Sequence, residues 1–187
     1  MTDQNKEKKY FVHPSSFVDE GAQVGEGTKI WHFSHVMAGA KIGRNCVLGQ
    51  NVYIGGRADI GEGVKIQNNV SVFDPIVLED HVFVGPSAVL TNVKNPRSHV
   101  SRKEGYTATF VRKGATLGAN CTVVCGVEIG EYALIGAGAV VTKNVEAHAV
   151  ITGVPGRRTG WACACGGILP DRRKGGACPD CGKPWEL

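Results

Sequence analysis

An aliphatic residue returns at every sixth position along most of this chain. From Val18 the step runs through Val24, Ile30, Val36, Ile42, Leu48, Ile54, Ile60, Ile66, Val72, Leu78 and Val84 to Leu90. It resumes at Val111 and continues through Leu117, Val123, Ile129 and Ile135 to Val141 without an exception. Four residues behind each of these comes a second small or aliphatic side chain, as at Ala22, Thr28, Ala40, Val52, Ala115 and Val127, and only Lys94 breaks the rule. Nine of the nineteen residues immediately after the first aliphatic are Gly, Gly25, Gly43, Gly49 and Gly136 among them, where the backbone needs freedom or close approach. Six residues make one short strand and one corner, three such units close a triangular coil, and coils stack at roughly 4.8 Å. The predicted fold is therefore all-β, a parallel β-helix whose large aliphatics fill a prism. Nineteen hexads predict a little over six coils.

The period is interrupted once. Leu90 and Val111 are 21 residues apart, one hexad plus fifteen, so residues 96–110 (PRSHVSRKEGYTATF) are expected to leave the prism as an extruded loop. Ordered loops on a rigid scaffold tend to carry function. After Val145 the pattern fades, and residues 161–187 are a different kind of sequence. The expected organisation is a short tail over 1–10, a prism over 11–160 and a cysteine-rich appendage over 161–187.

Composition agrees and narrows the function. Gly is abundant (26 of 187 residues) and aromatics are scarce (7%), which suits many short strands and tight turns. The net charge of +4 is mild and its basic residues are scattered, so no nucleic-acid partner is expected. No apolar run approaches the roughly 18 residues a spanning helix needs, and MTDQNKEKKY offers no signal-peptide core, so the cytoplasm is the expected address, with no membrane insertion.

Sorting the hexads by coil places like positions on one edge. One edge carries Glu26, Arg44, Glu62, Asp80, Lys113 and Glu131, an ordinary solvated mixture. A second stacks His32, Gln50 with Asn51, and Asn68 with Asn69, beside Trp31, His35, Tyr53 and Gln67. Neutral hydrogen-bonding groups and aromatics in such a column suit a wall that recognises a nucleotide or sugar, although Asn and Gln ladders also satisfy stacked corners. The third edge holds Asp74 and Asn92, and the loop departs from it.

KIWHFSHVMAGAKIG, LGQNVYIG, KIQNNVSVFD, GPSAVLTNVKNPRS, RKGATLGAN, IGAGAVVTKNV and GVPGRRTGW resemble the hexapeptide-repeat acyltransferases over roughly residues 10 to 160. Among these they resemble the bacterial N-acetyltransferases of UDP-2-acetamido-3-amino-2,3-dideoxy-glucuronate, which serve surface-polysaccharide synthesis. The resemblance implies a left-handed winding and a homotrimer with each site between neighbouring prisms. It also implies acetyl-CoA along the later coils and a UDP-linked amino sugar as acceptor. Carried onto this sequence, Trp31, His32, Gln50, Asn51, Gln67, Asn68, Asn69, Asp74 and Arg97 would meet the acceptor. Gly118, Ala119, Gly136, Ala137 and Gly138 would let the pantetheine arm approach, and Lys143, Arg157 and Arg158 would meet the phosphates.

Related O-acetyltransferases carry a catalytic His before a Pro at the loop entrance. Here that stretch reads Thr91, Asn92, Val93, Lys94, Asn95, Pro96. A hydroxyl nucleophile needs a base, whereas a neutral amine already has its lone pair, so Asn92 or Asn95 can orient an amine without abstracting a proton. His35 and His99 are the candidate proton acceptors. The alternatives are another amino-sugar nucleotide, an O-acetyl acceptor, or a non-catalytic scaffold. The six histidines do not converge in the way a metal-dependent anhydrase of this fold would need.

Seven cysteines without a secretory signal argue for free thiols or metal ligation. Cys163 and Cys165 in CACGG, with Cys178 and Cys181 in CPDCG, resemble a small zinc ribbon with four thiolates on a structural Zn²⁺. Cys46 and Cys121 fall on inward positions, and Cys125 falls on a corner without an evident partner.

Overall fold

The computed structural model describes residues 9–169 and 176–185. Its short parallel strands stack into three faces of a prism. The first face starts with Phe11–Val12, Lys29–Ile30, Val47–Leu48 and Lys65–Ile66, the second with Phe17–Val18, His35–Val36 and Tyr53–Ile54, and the third with Gln23–Val24, Lys41–Ile42 and Asp59–Ile60. Pairing follows the period: Lys29 lies against Val47 and Lys65 against Phe83, each eighteen residues on. Phe83 then lies against Thr116, thirty-three residues on, so the fifteen extra residues leave the wall without disturbing its register. The solenoid has about eight turns. Eight is the number of parallel levels on its first face, where Phe11–Val12 and Ala149–Thr152 add one strand at each end to the six that the hexads predict there.

The interior is what holds the coils together. Every sixth-position aliphatic from Ile30 to Val141 is at most 4% exposed. Each fully buried Leu, Ile or Val contributes roughly 1.5–3 kcal/mol relative to exposure. Val18 and Val24 are only half-buried, because the first coil has no coil beneath it. Two buried hydroxyls of the prism are paired: Thr28 donates to the Gly43 carbonyl and accepts from the Cys46 amide, and Ser34 does the same between Gly49 and Val52.

Corners explain the remaining sequence rules. The third residue after each aliphatic usually has positive φ, as at Phe33, Asn45, Asn51, Asn69 and Asn120, alternating with Gly27, Gly63 and Gly138. Asn tolerates the left-handed region better than other side chains, so these asparagines have a conformational reason to be there. The residue just after the aliphatic is pressed against the next coil: a Cβ on Gly43 would lie 2.5 Å from the Gly61 carbonyl oxygen.

The loop leaves at Thr91. Its neck is closed by the Thr107 amide donating to the Asn92 carbonyl, and it contains one 3-10 turn at Lys103–Gly105. Thr109 and Phe110, expected in the loop, already lie on a wall strand, Thr109–Val111, paired with Ile76–Leu78. At the far end the chain reverses, and Arg157–Ala162 runs antiparallel to Ala149–Thr152 and then to Ile168–Leu169. That strand crosses residue 160, where the sequence changes character. Among the described residues no helix is long and apolar enough to cross a membrane.

Candidate functional site

One edge, between the first and second faces, collects most of the expected binding residues in a single column. Trp31 and His32 follow the strand Lys29–Ile30, Gln50 and Asn51 follow Val47–Leu48, and Gln67, Asn68 and Asn69 follow Lys65–Ile66. Further along the same edge, Gly118 and Ala119 follow Thr116–Leu117, and Gly136, Ala137 and Gly138 follow Leu134–Ile135. The early part is aromatic. His13 stacks on His32 at 3.5 Å between ring centroids, and Phe11 meets Trp31 at 5.4 Å. Loss of hydration, with the His32 ring beside it, holds the His13 imidazole below its ordinary pKa. The asparagines are committed to the wall: the Gln50 amide donates to Asn68 Oδ1 at 2.9 Å, and Asn51 Nδ2 to Asn69 Oδ1 at 3.1 Å.

Small residues later on this edge have two different origins. A Cβ on Gly118 would fall 2.6 Å from the Ala137 amide nitrogen, so coil stacking alone requires glycine there. Gly138 has φ +68° and nothing within 4 Å of a Cβ, which leaves its surroundings open.

Asp74 and Asn92 lie on the next edge, across the width of the second face. Asp74 Oδ1 accepts from the Arg57 amide at 2.7 Å, with the Arg57 guanidinium 3.8 Å from the same carboxylate. Asn92 Nδ2 donates to the Asp74 carbonyl oxygen at 3.0 Å. Because a carbonyl can only accept, this bond fixes which end of the amide is which. The Asn92 side-chain oxygen is what remains for a ligand. Asn95 has φ +49° and is exposed, lining one loop hollow with Lys94 and Arg102, while Arg97 and His99 line a neighbouring one with Tyr106.

His35 is placed apart from this pair. Its strand and the strand before Asn92 are three steps apart on the second face, roughly 14 Å at the usual strand spacing. His35 Nε2 is 3.0 Å from Asp19 Oδ1, its ring meets the edge of Tyr53, and Tyr53 meets Phe73. The Tyr53 hydroxyl donates to Met37 Sδ at 2.6 Å. Desolvation first, then the charges of Asp74, Tyr106 and Asp19, pushes the Tyr53 phenol above its ordinary pKa.

Tyr53, expected in the recognition wall, is joined here by Asp19 and Tyr106, to which the sequence reading assigned no role. Asp19 had a signal, since it occupies the slot where Gly is commonest. Tyr106 had none, because a loop residue's proximity to the early coils is a tertiary fact.

Lys143, Arg157 and Arg158 do come together, lining an open groove of about 500 Å³ with Thr142, Asn144 and Glu146. Arg158 pairs with Glu146 at 2.6 Å and lies over Trp161 at 4.5 Å. In the tail, the four sulfurs of Cys163, Cys165, Cys178 and Cys181 lie within 4.8 Å of one another. Burial pushes the Cys46 thiol up and that of Cys121 to about 11, as inert core positions require. Cys125 is buried too.

Comparison with known proteins agrees with this architecture. The family described as "Bacterial transferase hexapeptide (six repeats)" matches residues 21–56 and 108–143, and the "Hexapeptide repeat of succinyl-transferase" matches residues 39–74. A dTDP-3-amino-3,6-dideoxy-alpha-D-galactopyranose 3-N-acetyltransferase of Aneurinibacillus thermoaerophilus is 39% identical over 94% of this chain and 90% of its own. Two solved structures share the fold. The acetyltransferase domain of PglB from Neisseria gonorrhoeae, in complex with acetyl coenzyme A, has a TM-score of 0.53 at 19% identity over 80% of this chain, which spans 57% of that one. A hexapeptide-repeat acetyltransferase of Vibrio cholerae, complexed with the same molecule, has a TM-score of 0.50 at 20% identity over 79% of this chain and 70% of its own.

A hexad-built prism with one extruded loop, matched along nearly its whole length by such a relative, belongs to the left-handed β-helix, hexapeptide-repeat acetyltransferases. Within that family it is an N-acetyltransferase of the amino-sugar kind.

Proposed function

We propose that this chain transfers the acetyl group of acetyl-CoA to the 3-amino group of a sugar carried by a nucleoside diphosphate, for surface-polysaccharide synthesis in the cytoplasm. The acceptor expected from the sequence is UDP-2-acetamido-3-amino-2,3-dideoxy-glucuronate. The full-length relative is named for a dTDP-linked sugar, and the two substrates have the 3-amino group in common. The observation that carries the proposal is the state of Asn92. Its NH₂ is held by the Asp74 carbonyl, which leaves an oxygen that can accept from an amine and stabilise the positive charge developing on it. That oxygen cannot take a proton away, so an amine is the acceptor it suits. The amine attacks the thioester carbon, the C–S bond breaks, and the ammonium proton leaves to the CoA thiolate or to water.

Acceptor contacts are assigned to the early part of the first edge, CoA contacts to Gly118–Gly138, and phosphate contacts to the groove of Lys143, Arg157 and Arg158. Asp74 and Asn92 are separated from that edge by a face of the same prism, and Arg97 belongs to the loop that leaves beside Asn92. A neighbouring chain in a homotrimer supplies a way to join the two edges. Exposed Phe11, Phe17 (70% exposed), Phe33 and Phe73 on the early coils support such burial. The prism is assigned the chemistry, and the cysteine tail a structural zinc. A second reading is favoured by the Asp19–His35 pair, whose carboxylate orients an imidazole able to accept a proton. Because His35 and Asn92 are so far apart in one chain, that reading needs the two residues from different subunits.

A coupled assay of CoA release with UDP- and dTDP-linked 3-amino sugars and their 3-hydroxy counterparts tests the proposal. Turnover with the amines alone is expected. Equal or faster turnover of a hydroxyl compound would overturn it.

A further inference from the structure

The two cysteine turns of the tail face each other. In the first, the Gly166 amide donates to the Cys163 carbonyl, the Cys163 amide to the Gly167 carbonyl, and the Gly167 amide to Cys165 Sγ at 3.4 Å. In the second, the Gly182 amide donates to the Cys178 carbonyl and the Cys178 amide to that of Lys183. Gly166 and Gly182 both have positive φ, so each turn ends on the residue type such a turn requires. The turns are so close that a Cβ on Gly167 would lie 2.6 Å from Asp180 Oδ2 and 3.0 Å from Cys178 Sγ.

The sulfur spacings discriminate between fates for the thiols. Cys163 and Cys181 are 3.8 Å apart and Cys165 and Cys178 are 3.6 Å apart. A disulfide would bring each pair to about 2.05 Å. Four thiolates at about 2.3 Å from a tetrahedral Zn²⁺ stand roughly 3.8 Å from one another. Both pairs fit the tetrahedron, and so does the outer limit of 4.8 Å for all four, with modest adjustment.

Among the described residues the tail also has a small core of its own: Leu169, Cys178 and Trp185 are buried together, with Cys163 and Trp161 packed against them. Trp161 packs against the prism core as well. A core of three buried side chains is too small to hold a fold together by hydrophobic burial alone.

We propose that Cys163, Cys165, Cys178 and Cys181 bind one Zn²⁺ as a tetrathiolate, and that this metal is the clasp that folds the tail onto Trp161 and so caps the late end of the prism. Binding Zn²⁺ releases whatever protons the four thiols still carry and leaves a site of net charge −2. With no open coordination position, its role is structural. This assignment does not rest on the acetyl-transfer reading, and its test uses no activity.

The full chain is purified from medium containing both zinc and iron, and its metals are measured by mass spectrometry. One zinc per chain is expected. Replacement by Co²⁺ should give the visible bands of a tetrahedral cobalt thiolate. In a Trp31→Phe background, chelation should shift the emission of Trp161 and Trp185 to the red and lower Tm, while the far-ultraviolet circular dichroism of the prism persists. Cys125→Ser should keep the zinc, and Cys178→Ser with Cys181→Ser should lose it. If that pair does not fold, the metal content and cobalt spectrum of the unmutated chain still decide. Less than a tenth of an equivalent of zinc, iron in its place, two disulfides, or zinc retained by the double variant would each overturn the proposal.

Discussion

From Phe11 to Phe73 the outside of the prism carries rings in contact with one another, and the slot behind each aliphatic often holds a large side chain such as Asp19, Trp31 or Gln67. From Gly118 to Gly138 the first edge is reduced to Gly and Ala beside Asn120, and the nearby cations gather at the groove of Lys143 and Arg157. Yet Leu48 and Leu117, one in each region, are equally buried. A uniform interior therefore carries two different exteriors. In a solenoid this is easy, because each coil needs only its neighbours' inward residues, so the outward ones are free to serve chemistry.

The largest effects should ignore the difference between the regions. Leu48→Ala and Leu117→Ala are each expected to cost about 2–5 kcal/mol by denaturant unfolding. A cost confined to one of them would break the claim of a uniform interior. Asn92→Ala should come next, lowering kcat/KM by about 10- to 100-fold, the size of a lost hydrogen bond to a charged transition state. Arg157→Ala should raise KM for acetyl-CoA by about tenfold and leave that for the acceptor unmoved, while Trp31→Ala should do the reverse. A shared effect on both substrates would dissolve the division into early and late coils.

The smallest effect concerns acid. Glu128 accepts from Arg112, which holds its carboxyl below the ordinary carboxylate range, and Arg112 also donates to Glu79. A depressed carboxylate pKa adds stability above the unfolded-state value that is lost as pH falls through the folded one. Glu128→Gln should therefore flatten the acid limb of Tm against pH slightly, since both side chains of the pair stay partly exposed to solvent, which screens it.

Much of this was legible in the sequence because each coil repeats one steric demand. The aliphatics at every sixth position, the fifteen-residue insertion and the paired cysteines each announce their place. The two ends were less legible: Val12 lies one step before the counted run, and Ala149–Thr152 replaces a hexad with a hairpin strand. Candidate site residues were harder still, because one residue type answers two demands. Asn51 and Asn69 suit a positive φ, and Asn68 accepts a corner amide, so their presence alone does not report a ligand. The separation of His35 from Asn92 follows from hexad counting, whereas the Asp19–His35 contact and the approach of Tyr106 to Tyr53 depend on side-chain placement that no period encodes.

The claim most in need of a test is that the acceptor amine supplies its own nucleophilic lone pair and no protein base removes a proton before attack. The pH dependence of kcat/KM, measured with two amino-sugar nucleotides of different amine basicity, addresses it directly. The profile should rise with the ionisation of whichever amine is used, since only the neutral form attacks, and His35→Ala and His99→Ala should keep that shape and most of the rate. A loss of about a thousandfold or more in either histidine variant, with acetyl-CoA still bound, would show that a protein base exists and that the orienting role given to Asn92 is wrong.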